Sequence, residues 1–152
     1  MSDAKRETKP ATILIVDDDP HTLEILRRWL KREGWDTVSA ESGPQCLDAL
    51  QNNPIDVIVL DVMMPGMDGL QVCEKLRGDE ALRLIPVILL TAKDDMETRS
   101  QGMVLGVSEY LTKPVNKEDL FARIRAQVHS RELDRKMGET AAAVSGLNQD
   151  GE

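Results

Sequence analysis

Aromatic side chains are scarce in this 152-residue chain, at 3% of its residues. Aliphatic side chains must therefore build the core. Cysteine is scarce too, and the two present, Cys46 and Cys73, form neither a Cys-x-x-Cys pair nor a zinc-binding spacing. We interpret both as reduced cysteines within predicted helices of a cytosolic protein.

Long apolar runs and an excess of basic residues are also missing. No run of about 18 apolar residues occurs, so the sequence predicts no membrane-spanning helix. Lysine and arginine number 19 against 27 acidic residues, which gives a formal net charge of −8. This charge argues against nucleic acid as a main partner, because nucleic-acid binding relies on neutralising phosphates. Residues 1–10 are polar and lack the apolar core of a signal peptide, so we expect a disordered lead and a cytoplasmic protein.

Short apolar runs alternate with helical patterns along the chain, as is typical of βαβ units. The predicted strands lie near 12–16, 35–40, 55–60, 86–90 and 108–112. The predicted helices lie near 20–33, 43–52, 69–78, 94–105 and 116–136. The third and fourth strands are apolar almost throughout, which indicates burial on both faces, whereas the mixed second strand is predicted at an edge. Right-handed crossovers then favour an α/β, flavodoxin-like (βα)5 doubly wound parallel sheet of strand order 2-1-3-4-5.

The length of the chain predicts one domain, which we place at residues 11–130. Beyond it, residues 131–152 are interpreted as an extension of the last helix followed by a polar tail or linker. This segment is too short for a second domain.

Polar residues follow four of the predicted strands. Asp17 and Asp18 follow the first strand, Asp61 the third, Thr91 the fourth and Lys113 the fifth. The carboxyl ends of parallel strands meet at one edge of a sheet, where open α/β folds place their ligands. The sequence therefore predicts three carboxylates, a hydroxyl and an amine in one site.

The chemistry of that set suits a divalent cation and a phosphoryl group. Neighbouring carboxylates repel each other unless a cation lies between them, and Mg²⁺ prefers a few carboxylates together with phosphate oxygens. One ionised aspartate can then attack phosphorus and form an aspartyl phosphate. The metal, the ammonium and the hydroxyl would stabilise the charge of the transferring group.

Each of these residues also has an ordinary structural interpretation. The acids at 17–19 suit the N-terminus of a helix, and Asp19 before Pro20 is a predicted N-cap. Asp61 alone fits a surface turn, Thr91 fits a helix cap, and Lys113 fits a solvated lysine. The shared position at strand ends favours the functional interpretation of the whole set.

The chain resembles the receiver domain of bacterial two-component response regulators over roughly residues 11–130. The matching stretches are 13–20, 56–69, 86–92 and 106–114. The resemblance implies that Asp61 accepts the phosphoryl group. It implies that Asp17, Asp18, Asp61 and the backbone carbonyl of Met63 hold Mg²⁺.

The same resemblance assigns the remaining site residues. Thr91 and Lys113 would contact the phosphoryl group, and the Lys113–Pro114 bond would be cis. Thr91 and Tyr110 would act as the switch, with Tyr110 turning inward on activation.

A resemblance of this kind implies a phosphorylation-dependent signalling switch, which is not an enzyme beyond its own phosphoryl transfer and autodephosphorylation. The implied donor is a sensor histidine kinase or phosphotransfer protein, and the implied output is a downstream protein or output domain. The surface of helix 4, strand 5 and helix 5 would change, and receivers of this family often form a homodimer through it. We expect this domain to contact neither nucleic acid nor a membrane.

Two alternatives stay open at this point. The chain is either a stand-alone receiver or the input domain cut from a larger response regulator. A more remote alternative is a phosphatase of the haloacid dehalogenase type, which needs an Asp-x-Asp nucleophile after its first strand. Asp17 to Asp19 offer such a pattern superficially, but the late acidic pair of that family is missing.

Overall fold

The computed structural model describes residues 9–92 and 95–150, with side chains except at 135 and from 137 onward. The strands are β1 (Thr12–Val16), β2 (Asp36–Ala40), β3 (Val57–Asp61), β4 (Val87–Thr91) and β5 (Glu109–Thr112). The helices are α1 (Pro20–Arg32), α2 (Gly43–Asn52), α3 (Gly69–Arg77), α4 (Met96–Val104) and α5 (Lys117–Asp150). Most of the predicted lead, residues 1–8, lies outside the described part.

The five strands form one parallel sheet in the order β2-β1-β3-β4-β5, which confirms the predicted topology. The prediction that the second strand is an edge strand is also confirmed, and β5 forms the other edge. β1 pairs with β3 in a register that sets Val16 opposite Leu60. The ends of these two strands therefore lie side by side.

Two apolar layers cover the sheet, because successive strand residues point to opposite faces. On one face, Leu14 and Ile58 pack with residues of α2 and α3, such as Cys46 and Val72. On the other face, Ile13, Ile15, Val57 and Val59 pack with residues of α1 and α5. All of these side chains are buried, so both layers hold the central strands in place.

The two cysteines belong to the first of these layers. Cys46 lies in α2 and Cys73 in α3, and both are buried and free of disulfide bonds. Burial raises the pKa of each thiol to about 12. Thiols with so little thiolate are poor nucleophiles, which agrees with a packing role.

The third and fourth strands end later than predicted. The sequence placed their ends at residues 60 and 90, whereas β3 includes Asp61 and β4 includes Thr91. The ladder continues because Asp61 is paired with Leu90 and Thr91 with Thr112. The polar residues of the site are thus part of the sheet, and its backbone hydrogen bonds fix their position.

The last helix also differs from its predicted end near residue 136, because α5 runs to Asp150. No proline interrupts the sequence from 117 to 150, and three alanines stand at 141–143. Gly138 and Gly146 each disfavour a helix by only about 1 kcal/mol relative to alanine. The division of the chain after residue 130 stays a prediction. No helix in the described ranges is long and apolar enough to cross a membrane.

Candidate metal and phosphoryl site

Three carboxylates meet at the carboxyl edge of the sheet, as the sequence predicts. Asp17 and Asp18 directly follow β1, and Asp61 ends the neighbouring β3. One carboxylate oxygen from each lies within 4.8 Å of the others. This spacing allows one cation to contact all three side chains.

The three carboxylates differ in what they already bind. Asp17 and Asp61 are buried, at 1% and 2% exposure, whereas Asp18 is exposed. Oδ1 of Asp17 accepts a hydrogen bond from the backbone N–H of Asp19 at 2.9 Å. Oδ1 of Asp61 accepts one from the N–H of Met63 at 3.3 Å. Asp18 is the carboxylate most open to a cation from solvent.

Lys113 brings a positive charge to the two buried acids. Its Nζ lies 3.0 Å from Oδ1 of Asp61 and 3.4 Å from Oδ2 of Asp17. The backbone N–H of Lys113 also donates to the carbonyl of Thr91 at 2.9 Å. The Lys113–Pro114 bond is cis, as expected from the resemblance.

The electrostatics of the site follow from burial and from these ion pairs. Burial raises the pKa of Asp61, and the neighbouring charge of Asp17 adds to the rise, while Lys113 and the Met63 N–H oppose it. Burial alone would lower the pKa of Lys113, but its bonds to Asp61 and Asp17 outweigh that effect and raise it. Additional positive charge at this edge would therefore be stabilising.

Thr91 offers the hydroxyl of the predicted set. Its side chain is 1% exposed, and Oγ1 has no hydrogen-bond partner among the described residues. A buried hydroxyl without a partner is destabilising by roughly 1–3 kcal/mol, so such groups are rare and point to a ligand. Thr91 ends β4, the strand beside β3, and its hydroxyl is a candidate donor to an anion.

The start of α3 packs directly on the end of β3. A Cβ at Gly69 would lie 2.8 Å from the carbonyl oxygen of Asp61 and 2.9 Å from Cα of Val62. Both neighbours are backbone atoms, so a larger residue would displace the strand end that carries Asp61. Glycine at this position is required by the close approach.

Met63 and Tyr110 are the two predicted site residues whose side chains are not part of this cluster. The Met63 side chain is exposed, and its role as a carbonyl ligand stays a prediction. Tyr110 is half-buried, and its hydroxyl donates to the backbone carbonyl of Arg99 in α4 at 2.7 Å. The structure therefore ties the predicted switch residue to α4.

Arg99 is a residue that the sequence analysis missed. Its Nη2 donates to Oγ1 of Thr112 in β5 at 2.7 Å, while its carbonyl accepts from Tyr110. Arg99 thus joins α4 to two residues of the strand that precedes Lys113. The sequence around Arg99 is an ordinary polar helix and contains no signal for this contact.

Comparison with known proteins agrees with this geometry. The family described as the response regulator receiver domain matches residues 13–125. The chain belongs to the response regulator receiver domain family. A receiver domain is a signalling domain that works as a phosphorylation switch, and this assignment replaces the dehalogenase-type alternative.

Similar receivers occur in longer regulators and in solved structures. The chain is 42% identical to the response regulator MprA of Mycolicibacterium vanbaalenii, over 88% of this chain and 57% of that protein. It is 40% identical to the response regulator PleD of Caulobacter vibrioides, over 91% of this chain and 33% of that protein. The chain therefore spans only part of these relatives.

Among solved structures, the chemotaxis protein CheY4 of Vibrio cholerae matches with a TM-score of 0.73 and 28% identity, over 77% of this chain and 98% of that chain. The receiver domain of the Francisella response regulator 1452 matches with a TM-score of 0.73 and 32% identity, over 79% of this chain and 98% of that chain. Both comparisons support the fold of the receiver.

Replacing Asp61 with Asn should stabilise the receiver at neutral pH in the absence of divalent cations. The pKa of Asp61 is raised in the folded state, so its ionised form is disfavoured there. The ionised Asp61 therefore lowers the stability of the folded state. This loss of stability is absent below the ordinary carboxyl pKa of about 4, where Asp61 is protonated in both states, and it is complete above the raised pKa of the folded state. We expect a gain of roughly 0.5–2 kcal/mol at pH 7, the usual range for one stabilising substitution.

Urea unfolding in EDTA at pH 4 and pH 7 measures this difference. Asp48→Asn is the control, since Asp48 is an exposed acid on α2 and should change stability little at either pH. Equal stability of wild type and Asp61→Asn at pH 7 would contradict the claim that the ionised Asp61 is disfavoured in the folded protein.

Proposed function

We propose that this receiver accepts a phosphoryl group on Asp61 from a sensor histidine kinase or phosphotransfer protein. The observation that carries the proposal is the contact of Asp61 Oδ1 with Lys113 Nζ at 3.0 Å, beside Asp17 and Asp18. One buried carboxylate at the end of the central strand is thereby held next to an ammonium and two further acids.

The transfer step is a displacement at phosphorus. A carboxylate oxygen of Asp61 forms the new P–O bond, while the P–N bond of the phosphohistidine donor breaks and its electron pair returns to the imidazole nitrogen. The Lys113 ammonium lies on the Asp61 oxygen, where negative charge enters with the phosphoryl group. The unpaired Thr91 hydroxyl is available to donate to a phosphoryl oxygen.

The same residues fit Mg²⁺. Asp17, Asp18 and Asp61 supply the oxygen ligands that this cation prefers, and we assign the Met63 carbonyl to the same shell. When bound, Mg²⁺ supplies positive charge that neutralises the acids and the phosphoryl oxygens. The receiver acts on no further substrate and catalyses only its own phosphoryl transfer and autodephosphorylation.

The switch is proposed to run from Thr91 to Tyr110 and then to α4. The hydroxyl of Thr91 turns toward the phosphoryl group, and Tyr110 leaves its hydrogen bond to the Arg99 carbonyl. The Tyr110 ring lies against Gly102 of α4, where a Cβ would come within 3.0 Å of its hydroxyl. Movement of the ring breaks its contact with α4. We propose that α4 then changes its packing against the sheet, so that phosphorylation changes the populations of the two arrangements of α4.

The surface of α4, β5 and α5 is the proposed output and dimer surface. Met96, Met103 and Val104 of α4 are exposed on the described chain. Within the chain, Arg123 of α5 pairs with Glu109 of β5 at 2.6 Å, so these two charges are already matched. A homodimer through this surface, or a contact with a downstream protein or output domain, would reuse that pair across the interface.

We infer a cytoplasmic receiver that signals through protein contacts. Its net charge of −8 supports partners other than nucleic acid.

Asp61 should be the sole phosphoacceptor. Incubation with acetyl phosphate and Mg²⁺ should add one phosphoryl group to the wild type, as measured by intact mass, and none to Asp61→Asn. Asp48→Asn, which removes an exposed acid on α2, should be labelled like the wild type. Equal labelling of the wild type and Asp61→Asn would refute this assignment.

Mg²⁺ binding should depend most on Asp18. Both buried acids are already engaged, Asp17 by Asp19 and Lys113, whereas Asp18 faces solvent. Mg²⁺ at 100 times its dissociation constant should stabilise the wild type by about 2.7 kcal/mol. Asp18→Ala should weaken binding at least tenfold, measured by Mg²⁺-dependent unfolding and by the fluorescence of Trp29 and Trp35.

Removal of the metal with EDTA should reverse the stabilisation, and Asp48→Ala should keep the wild-type response. An unchanged Mg²⁺ affinity in Asp18→Ala would remove this residue from the metal site. The readout is stability, so it does not depend on phosphorylation.

Lys113 should serve the switch more than the fold. Lys113→Ala should remain folded and still accept phosphate, because the Lys113 side chain is 38% exposed and its ammonium acts at the rim of the site. It should fail to change the α4–β5–α5 surface when treated with beryllofluoride. The measurement is the shift of the amide signals of Arg99 and Tyr110 in NMR spectra.

The wild type provides the control, since its signals should shift on treatment. Sedimentation of the same samples reports the dimer, which should weaken with added salt because exposed charge pairs are screened. If treated Lys113→Ala shows the same amide shifts as the treated wild type, activation does not depend on Lys113 and the prediction is wrong.

A further inference from the structure

A cleft lies at the amino edge of the sheet, on the side opposite the phosphoryl site. It has a volume of about 580 Å³. It lies between the end of α3, the loop before β4, the loop before β5 and the middle of α5. Its volume falls within the roughly 300–1,000 Å³ of small-molecule sites.

Three arginines line this cleft, in a protein of net charge −8. Arg131 of α5 is held in place, since its Nη1 donates to the carbonyl of Leu84 at 3.3 Å and its Nε lies 3.8 Å from Asp56. Arg77 and Arg83 make no ion pair and no side-chain hydrogen bond with any residue in the described part. Two unneutralised guanidinium groups therefore face one concave surface.

The Arg77 side chain is exposed, and its guanidinium rests on the chain at Gly106. A Cβ at Gly106 would lie 2.6 Å from its Nη1, so the guanidinium lies directly on the glycine backbone. Gly106 also has a φ of +81°, a conformation that other residues rarely adopt. Most surface arginines are free in solvent, whereas this one rests against the wall of a cleft.

Apolar side chains stand beside the two arginines. Ile85 lines the same cleft, while the space behind it, toward Leu105 and Val107, has a volume of only about 10 Å³ and admits no ligand. The exposed side chain of Leu84 stands at the rim of the cleft. The cleft therefore offers positive charge beside apolar surface.

We propose that this cleft binds a small phosphorylated ligand of the nucleoside phosphate class. Arg77 and Arg83 hold the phosphate, because guanidinium groups bind phosphate oxygens in pairs of hydrogen bonds. The base lies against the exposed apolar side chain of Leu84 at the rim of the cleft. Asp134 of α5 lines the same cleft and offers a carboxylate to a ribose hydroxyl.

The overall negative charge of the chain makes this proposal specific. A protein of net charge −8 repels an anion at long range, so binding requires a local cluster of positive charge. A ligand here would contact α5 and the loop before β5, at the end of the sheet remote from Asp61. It would bind independently of Mg²⁺, because none of the three clustered carboxylates lines the cleft.

The test is a titration of AMP into the isotope-labelled full chain in EDTA, followed by NMR. Saturable shifts are expected at the amides of Gly106 and Ser108, and they should weaken with added salt. Arg77→Gln/Arg83→Gln should weaken binding at least about tenfold. Lys31→Gln/Arg32→Gln is the matched control, since it removes two exposed charges from α1 and should bind AMP like the wild type.

Adenosine and inorganic phosphate serve as separate probes, and both should bind more weakly than AMP. Equal AMP affinity in the Arg77→Gln/Arg83→Gln variant would overturn the proposal. Inorganic phosphate binding as tightly as AMP would overturn the assignment of the base to Leu84. An acidic peptide that shifts these amides where AMP does not would replace the small ligand with a protein contact.

Discussion

The phosphoryl site of the receiver depends on the two ion pairs of one lysine at the edge of its sheet. Asp61 and Asp17 are buried side by side, and their charges repel each other without compensation. The Lys113 ammonium contacts both and belongs to a residue 96 positions after Asp17. Because Lys113 follows β5, its contact requires β5, β4, β3 and β1 in one parallel order. The geometry of the site therefore depends on the order of the strands in the sheet.

The sequence predicts the sheet order and the cluster because both follow from regular spacing. Apolar runs of five residues alternate with helical patterns, and each chemical group stands at a strand end. The helix cap at Asp19 was also predictable, because an aspartate directly before Pro20 is typical of a helix N-terminus. The structure has this cap, since the Asp19 side chain accepts a hydrogen bond from the His21 N–H. Local pattern and position along the strand thus carry most of the information on the site.

Other features depend on contacts between distant segments and escaped prediction. Arg99 contacts Tyr110 and Thr112 because the fold brings this part of α4 beside β5, and the local sequence does not show that placement. The unpaired hydroxyl of Thr91 is a property of its surroundings, which the sequence does not display. The ends of β3 and β4 were placed one residue early. Aspartate is depleted in strands, so Asp61 was placed after β3, and Thr91 was placed after β4 with the other polar residues although threonine favours strands. Sheet pairing decides those ends.

That extension of the sheet separates chemistry from recognition. Asp61 and Thr91 are anchored by backbone pairing, while the loops that leave them carry exposed residues such as Met63. Substitutions in those loops change the exposed surface around the site and leave the backbone positions of Asp61 and Thr91 unchanged. The sheet can therefore keep the buried residues of the site in place while the loops around it vary in sequence.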